Sequence, residues 1–149
     1  MLITHPVDST CICLAYPCMD AFFPSTPPPL RKGAGWRLGW DPARSPFVAL
    51  VGGETWALEL TQEEWQAFGQ GVYCLQQDME AIASQLMAEE SITLERTFPW
   101  LTLIASGSPT AWDLYLQLHQ GRRGEGFWPA EAVPGLCRAL AQLREQGKV

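Results

Sequence analysis

The sequence predicts a single α+β domain of antiparallel strands and two helices. Three observations support this fold class. Apolar residues recur at helical spacing after Thr61, the flanking segments alternate apolar and polar residues as strands do, and a second helical pattern lies near the end of the sequence. A chain of 149 residues suits one domain with a buried core. We place that domain at residues 33–147.

The longest helix is predicted from Thr61 to about Glu90, or only to near Met87 if Glu89 and Glu90 have no cationic partner, since the macrodipole disfavours carboxylates in a last turn. Steps of three and four residues place seven apolar side chains on one stripe, namely Trp65, Phe68, Val72, Leu75, Met79, Ile82 and Leu86. Thr61 and Glu64 have capping-box spacing, in which a hydroxyl and a carboxylate satisfy backbone N–H groups at the helix start. At 1.5 Å per residue this helix would be roughly 40 Å long and would need an apolar sheet beneath it.

Three strands are predicted before this helix. Residues 36–40 alternate Trp and Leu with Arg and Gly, residues 47–51 form a continuous apolar run, and residues 56–60 alternate again. Gly52 and Gly53 separate the last two strands and predict a hairpin turn. The long helix therefore follows a group of strands that supplies an apolar surface.

The second half is predicted to repeat this plan. Strands are expected over residues 92–95, 100–105 and 112–119, and a last helix from about residue 130 to residue 146. In that helix Pro134 is tolerable because it falls in the first turn.

The two halves also share a short motif. Trp-x-Leu-x-Leu begins at Trp56 and again at Trp112. We therefore predict two pseudo-duplicated strand-strand-strand-helix halves, which form a curved antiparallel sheet or sheets with both helices packed on one side.

Gly147 suits the C-terminal cap of the last helix.

Residues 1–32 are predicted to be an extended, proline-rich lead-in, either disordered or outside a native start at Met19. Four of the residues from 24 to 29 are proline. No Lys or Arg precedes Arg31, so the charged start of a signal peptide is missing. No stretch approaches the roughly 20 apolar residues of a spanning helix, so we expect a cytoplasmic protein without membrane contact.

The charge is acidic and unevenly distributed. The net charge is −6, and residues 61–100 hold seven acids against one base, so they carry the whole excess. We predict an acidic, solvated outer face on the long helix. An acidic chain also works against binding to phosphate backbones.

No residues have the spacing of a catalytic or metal site. Three of the five Cys lie near His5, but their spacing matches no common zinc site; these are Cys11, Cys13 and Cys18. Neither His sits in a recognised catalytic motif. We therefore predict no enzyme activity, no metal and no cofactor. His119 shares a strand face with Asp113, Tyr115 and Gln117, which predicts either a pocket lining or an ordinary solvent-exposed face.

A basic cluster near the start of the domain contains Arg31, Lys32, Arg37 and Arg44. It is interleaved with Trp36 and Trp40. Binders of single-stranded nucleic acid combine such cations with aromatic rings, because phosphates are attracted and bases stack. The two Trp also alternate as core residues do, so a binding surface and a core strand both remain open.

The loop from Gly121 to Gly126 holds Arg122 and Arg123 in a glycine-rich frame. Two guanidiniums in such a loop can hold a phosphate or a carboxylate in bidentate fashion. Alternatively, they form structural ion pairs with Glu89 and Glu90, two acids that the helix macrodipole would otherwise disfavour.

Four blocks of the sequence are similar to a known family over roughly residues 33–146. The blocks are Gly35–Leu38, Val51–Thr61, Leu86–Glu90 and Arg122–Trp128. They resemble the small uncharacterised cyanobacterial proteins of the domain of unknown function 1818 family. The resemblance implies the fold of single-stranded-DNA-binding transcriptional regulators of the Whirly and PC-four-like class. The lysine- and glycine-rich binding motif of Whirly proteins has no equivalent, since the only lysines are Lys32 and Lys148.

We therefore predict a non-enzymatic binding domain, with two alternatives for its partner. The first is single-stranded nucleic acid, in a role related to transcriptional regulation, bound by an open sheet face and by Arg37, Arg44, Arg122 and Arg123. The second is a protein, with the domain acting as an acidic adaptor that makes no nucleic-acid contact. The sequence does not predict an oligomeric state.

Overall fold

The computed structural model describes residues 30–87, 89–119 and 121–149. The first half contains β1 (Leu30–Gly33), β2 (Trp36–Trp40), β3 (Phe47–Gly52), β4 (Ala57–Thr61) and α1 (Gln62–Ile82). The second half contains β5 (Ile92–Thr97), β6 (Leu101–Ser108), β7 (Ala111–Leu118), β8 (Glu125–Trp128) and α2 (Val133–Glu145). Each half forms a four-stranded antiparallel sheet whose strands pair in chain order. The predicted α+β class is confirmed.

Each half has one strand more than the sequence predicted. The unpredicted strands are β1 and β8, which have four residues each. Strands of this length show too little alternation to be recognised, and both follow proline- or glycine-rich segments. Most of the predicted lead-in, with its cysteines and Met19, lies outside the described residues.

The repeated Trp-x-Leu-x-Leu motif does not mark equivalent strands. Trp56 directly precedes β4, the fourth strand of its sheet, whereas Trp112 lies in β7, the third strand of the other. The two motifs therefore reflect a shared alternation of buried and exposed residues. The duplication is real at the level of topology, since four strands and a helix occur twice.

The capping box at the start of α1 forms as predicted. The Glu64 N–H donates to Thr61 Oγ1 at 3.3 Å, and the Thr61 N–H donates to Glu64 Oε2 at 2.8 Å. Five residues of the predicted stripe are buried, namely Trp65, Phe68, Val72, Leu75 and Met79. The stripe packs α1 against β3 and β4 of the first sheet and β5 and β6 of the second.

The long helix ends at Ile82, not near Glu90 as predicted. Ile82 and Leu86 are only half-buried, so the stripe loses its support there. The last turn contains no basic residue. A helix extended to residue 90 would place the Glu89 and Glu90 carboxylates in its last turn, where the negative end of the macrodipole disfavours them. The Ala83 N–H donates to the Glu80 carbonyl at 3.3 Å, and the helix ends there. Its 21 residues span about 31 Å.

Two tryptophans join the two sheets. The Trp128 Nε1–H donates to the Gly52 carbonyl at 2.8 Å, and the Trp56 Nε1–H donates to the Phe127 carbonyl at 3.2 Å. Their rings meet edge to face with centroids 4.7 Å apart. A side chain at Gly126 would overlap the Trp56 ring, so glycine is required at that position. The core is therefore continuous between the halves.

The last helix spans Val133–Glu145, within the predicted residues 130 to 146, and has the predicted features at both ends. Pro134 lies in its first turn, and Gly147 adopts a φ of 71° just past its end. The Lys148 N–H donates to the Leu143 carbonyl and the Gly147 N–H to the Arg144 carbonyl, both at 2.9 Å, which is a Schellman cap. No helix in the described part of the chain is long and apolar enough to cross a membrane.

Candidate functional site

Arg37 makes structural hydrogen bonds within the first sheet. It lies on β2, and its guanidinium donates to the carbonyls of Gly53 and Trp56 at 3.2 and 3.0 Å. These carbonyls belong to the predicted turn between β3 and β4, where the Gly53 N–H also donates to the Trp56 carbonyl. Arg37 therefore stabilises the hairpin, and two of its donors are already satisfied.

Arg122 also makes internal contacts. Its Nη1 donates to the Glu59 carbonyl at 2.6 Å, and its Nη2 forms an ion pair with Glu64. The guanidinium lies over the Phe47 ring, 4.7 Å from the centroid. Since Glu64 also caps α1, Arg122 connects the loop before β8 to the start of that helix.

The predicted pairing of Arg122 or Arg123 with Glu89 or Glu90 is replaced by this contact. The arginine loop reaches the first turn of α1, whereas both acids follow its last turn. Both acids are exposed, and Glu90 Oε2 accepts a hydrogen bond from the Met87 N–H at 3.2 Å. The ion pair thus forms at the end of the helix opposite to the one the sequence suggested.

Arg44 and Arg123 remain exposed. Arg44 Nε lies 3.8 Å from Asp41 Oδ2, and nearly half of the Arg44 side chain is in solvent. Arg123 has a φ of 47° and forms no ion pair with any described residue. The four predicted arginines therefore do not converge on one site, because two make structural contacts and two are exposed at the surface.

The two tryptophans of the basic cluster do not form a stacking platform. Trp36 is half-buried against Gly33 and Gly135. Trp40 is half-buried too, with Lys148 Nζ 5.7 Å from its ring centroid, and its Nε1 has no acceptor among the described residues. Arg31 is also engaged, since it donates to two glutamines of the last helix region. The core interpretation of this alternation is the better one.

The outer face of the second sheet carries a row of apolar side chains that neither helix covers. Strand register places Ile104, Tyr115 and Phe127 side by side on β6, β7 and β8. Because neighbouring strands lie about 4.8 Å apart, the three side chains form a continuous apolar row roughly 10 Å wide. Phe127 is 49% exposed. Neither helix covers this row, since both pack on the opposite face of the sheet. A Cβ at Gly71 of α1 would meet Leu103, and Trp112 of β7 lines a cavity together with Val133 and Cys137 of α2.

Carboxylates surround the apolar row. Glu95 continues it on β5, while Asp113 and Glu125 lie in the adjacent rows of the same face. The outward-facing residues of β5 to β8 include no Lys or Arg. We call this set the acidic sheet face; its members are Glu95, Ile104, Asp113, Tyr115, Glu125 and Phe127.

Polar side chains interact on and beside the acidic sheet face. Partial burial, interaction of the Tyr115 hydroxyl with the Glu125 side chain and the Glu125 charge together raise the pKa of Tyr115. Beside it, His119 Nε2 lies 2.9 Å from Thr102 Oγ1, at the end of the predicted polar strand face. The sequence identified the alternation of β7 but missed Ile104 and Phe127, because pairing between strands is not visible in a single alternating segment.

Among the described residues no group of three or more His, Cys, Asp and Glu side chains is arranged to hold a metal ion. The Cys137 thiol is buried, and its pKa is raised to about 12, first by burial and then by the Glu80 charge. A thiol with this pKa is protonated at neutral pH and is a poor nucleophile.

Comparison with known proteins places the chain in a family. Residues 31–143 match the family described as domain of unknown function (DUF1818). The chain belongs to this family. The DUF1818 chain is also similar to a solved structure, a protein with unknown function from the DUF155 family of Prochlorococcus sp. NATL2A. The two are 33% identical, with a TM-score of 0.73 over 77% of this chain and 98% of that one. The comparison with curated proteins found no match.

The match confirms the family that the four sequence blocks indicated. It extends over β1 and most of α2, so it covers both sheets of the DUF1818 domain. The relationship to Whirly-like folds stays a prediction.

Proposed function

We propose that this domain binds another protein and that the acidic sheet face is its binding surface. The observation that carries the proposal is the row of Ile104, Tyr115 and Phe127 on three adjacent strands, with carboxylates around it. Protein interfaces have an apolar, aromatic centre and a polar rim. A contiguous apolar patch rimmed by polar residues is typical of a protein-interaction site.

The charge of this face argues against nucleic acid as its partner. Glu95, Asp113 and Glu125 carry negative charge there, and no outward-facing residue of these strands is basic. Phosphate backbones bind where cations replace their counterions, so this face would repel them. A protein partner with Lys or Arg residues around an apolar patch is complementary to it.

The first sheet has few side chains that are available to bind single-stranded nucleic acid. Arg37 and Arg122 already donate to internal acceptors, which leaves Arg44 and Arg123 of the four predicted arginines. Affinity for phosphate backbones grows with the number of phosphates that are neutralised, so two exposed guanidiniums, one of them next to Asp41, support only weak binding. The tryptophans that would stack bases are half-buried in the domain, which favours the adaptor alternative.

Affinity capture with surface variants tests this proposal. Wild-type protein, Phe127→Ser and the double variant Glu95→Gln/Glu125→Gln are immobilised and exposed to nuclease-treated lysate of the source organism. Met87→Ser is the matched control, because Met87 is 77% exposed and belongs to none of the strands that form the acidic sheet face. We expect one protein to be retained by wild type and by the control and to be lost from the other two variants.

Equal retention of that protein on all four samples would contradict the proposal. Circular dichroism of each variant shows whether the fold is kept, so that unfolding is not mistaken for lost binding. Material that disappears from the wild-type sample after nuclease treatment would favour the nucleic-acid alternative instead.

A further inference from the structure

We propose that a cleft on the outer face of the first sheet binds a small aromatic carboxylate. The cleft has a volume of about 200 Å³ and lies in the other sheet from the acidic sheet face. Among the described residues its lining includes apolar Leu30, Phe47, Val48 and Leu50, the cation Arg44 and the acids Asp41 and Glu59. The proposal is independent of the protein-binding function above.

The cleft exists because Gly39 has no side chain. Gly39 lies on β2 between Leu30 of β1 and Leu50 of β3. A Cβ at this position would lie 3.5 Å from Leu30 Cδ1 and 3.6 Å from Leu50 Cβ, which is ordinary van der Waals contact. Neither packing nor a positive φ requires glycine here, whereas glycine inside a strand costs stability. A residue that breaks a local rule in this way without structural benefit indicates a functional role.

The size and chemistry of the cleft select an aromatic ring. A protein cavity of about 150 Å³ lined by aliphatic and aromatic side chains binds benzene, so this cleft takes one ring with a short substituent. Its walls are largely apolar and offer few hydrogen-bond partners to a ring. A nucleobase would leave its polar edge unpaired against Leu30 and Leu50, and this penalty disfavours it relative to a hydrocarbon ring.

Arg44 selects the charge of the substituent. Only its Nε approaches an acid, at 3.8 Å from Asp41 Oδ2, so its two terminal nitrogens are free among the described residues. Asp41 is itself engaged, because its Oδ1 accepts a hydrogen bond from the Ala43 N–H at 3.0 Å. The free side of the guanidinium suits a carboxylate. Asp41 and Glu59 also line the cleft and repel anions, so we propose a ligand with a single carboxylate that lies directly against the free side of the Arg44 guanidinium.

Titration of the full chain with two probes of equal size and opposite charge tests the proposal. Phenylacetate and 2-phenylethylamine are added separately, and backbone amide shifts are followed by ¹⁵N NMR. We expect saturable shifts at Gly39 and Leu50 with phenylacetate, and a dissociation constant at least roughly tenfold weaker for the amine. Shifts that do not saturate, shifts centred elsewhere, or equal affinity for the amine would overturn the proposal.

Three variants locate the binding. Gly39→Val fills the cleft and should fold with an unchanged or higher melting temperature while it loses phenylacetate binding. Arg44→Gln should reduce the preference for phenylacetate over the amine, whereas Arg123→Gln removes an exposed charge elsewhere and should leave both affinities unchanged. If Gly39→Val fails to fold, Gly39→Ala takes its place and should weaken binding. Wild-type phenylacetate affinity in the variant that folds would overturn the proposal.

Discussion

Arg122 and Glu64 form an ion pair between the two halves of the domain, although 58 residues separate them in the sequence. Glu64 is 6% exposed, and the same carboxylate caps α1 by accepting the Thr61 N–H. One buried acid thus stabilises the start of a helix and holds the loop that precedes β8. This contact makes the arginine-rich loop part of the fold, although it resembles an anion-binding loop in sequence.

Loss of Arg122 should destabilise the domain. Arg122→Ala would leave the buried Glu64 carboxylate without its cation, and we expect the free energy of unfolding to fall by about 2 kcal/mol. Urea denaturation measures this change. Arg123→Ala is the matched control, since Arg123 is exposed and unpaired within the described chain, and it should change stability by less than about 0.5 kcal/mol. Equal effects of the two substitutions would show that the ion pair is not structural.

Arg37 should matter to stability more than Arg44 does. Arg37→Ala removes the donors to two turn carbonyls, so we expect a loss of about 1–2 kcal/mol. Arg44→Ala removes one long, exposed contact with Asp41 and should cost less than about 0.5 kcal/mol. Thermal unfolding of both variants checks the order. A larger loss for Arg44→Ala would contradict the structural role given to Arg37.

The buried thiol gives a pH-dependent prediction. The pKa of Cys137 is raised from 9.0 to about 12 in the folded protein. The thiol form therefore adds a stabilising contribution that is complete below pH 9 and is lost as the pH rises toward 12. The stability difference between wild type and Cys137→Ala should shift in favour of the variant between pH 8 and pH 11. Urea denaturation at both pH values measures it, and a pH-independent difference would contradict the assignment.

Alkylation provides a separate check on the same thiol. In native protein at pH 8, iodoacetamide should modify Cys74, which is half-buried, faster than Cys137, which is buried and protonated. Peptide mass spectrometry distinguishes the two sites, and the rates should become similar in urea. Faster modification of Cys137 in the native protein would show that its thiol is accessible.

Much of the fold could be predicted from local sequence patterns. The capping box at Thr61 and the apolar stripe from Trp65 to Met79 specified α1, because both depend only on residues a few positions apart. The strands with clear alternation were predicted for the same reason. The end of α1 was missed, because it depends on where the sheets stop supporting the stripe after Ile82, which is a tertiary property.

The candidate site was less predictable, because it is assembled between strands. The alternation of Asp113, Tyr115 and Gln117 identified one polar strand face, but only the register with β6 and β8 adds Ile104 and Phe127 to it. The arginines could be identified from the sequence, but their partners could not. Arg122 pairs with Glu64 because the second half of the domain folds back onto the start of α1.

Oligonucleotide binding should be absent or weak. We expect a fluorescein-labelled mixed-sequence single strand of about 20 nucleotides to show no saturable anisotropy change with micromolar protein at low salt, where phosphate contacts are strongest. The acidic net charge and the internal roles of Arg37 and Arg122 are the physical reasons. Tight binding that weakens with added salt and with Arg44→Gln would contradict this expectation.

Site-specific photo-cross-linking in cells tests the central claim most directly. A benzophenone amino acid replaces Phe127 on the acidic sheet face in one sample and exposed Met87 in another. We predict a discrete adduct at position 127 that protease removes, nuclease leaves intact and Glu95→Gln/Glu125→Gln abolishes, with no such adduct at position 87. An adduct that nuclease removes, or equal cross-linking at both positions, would contradict protein binding through this face.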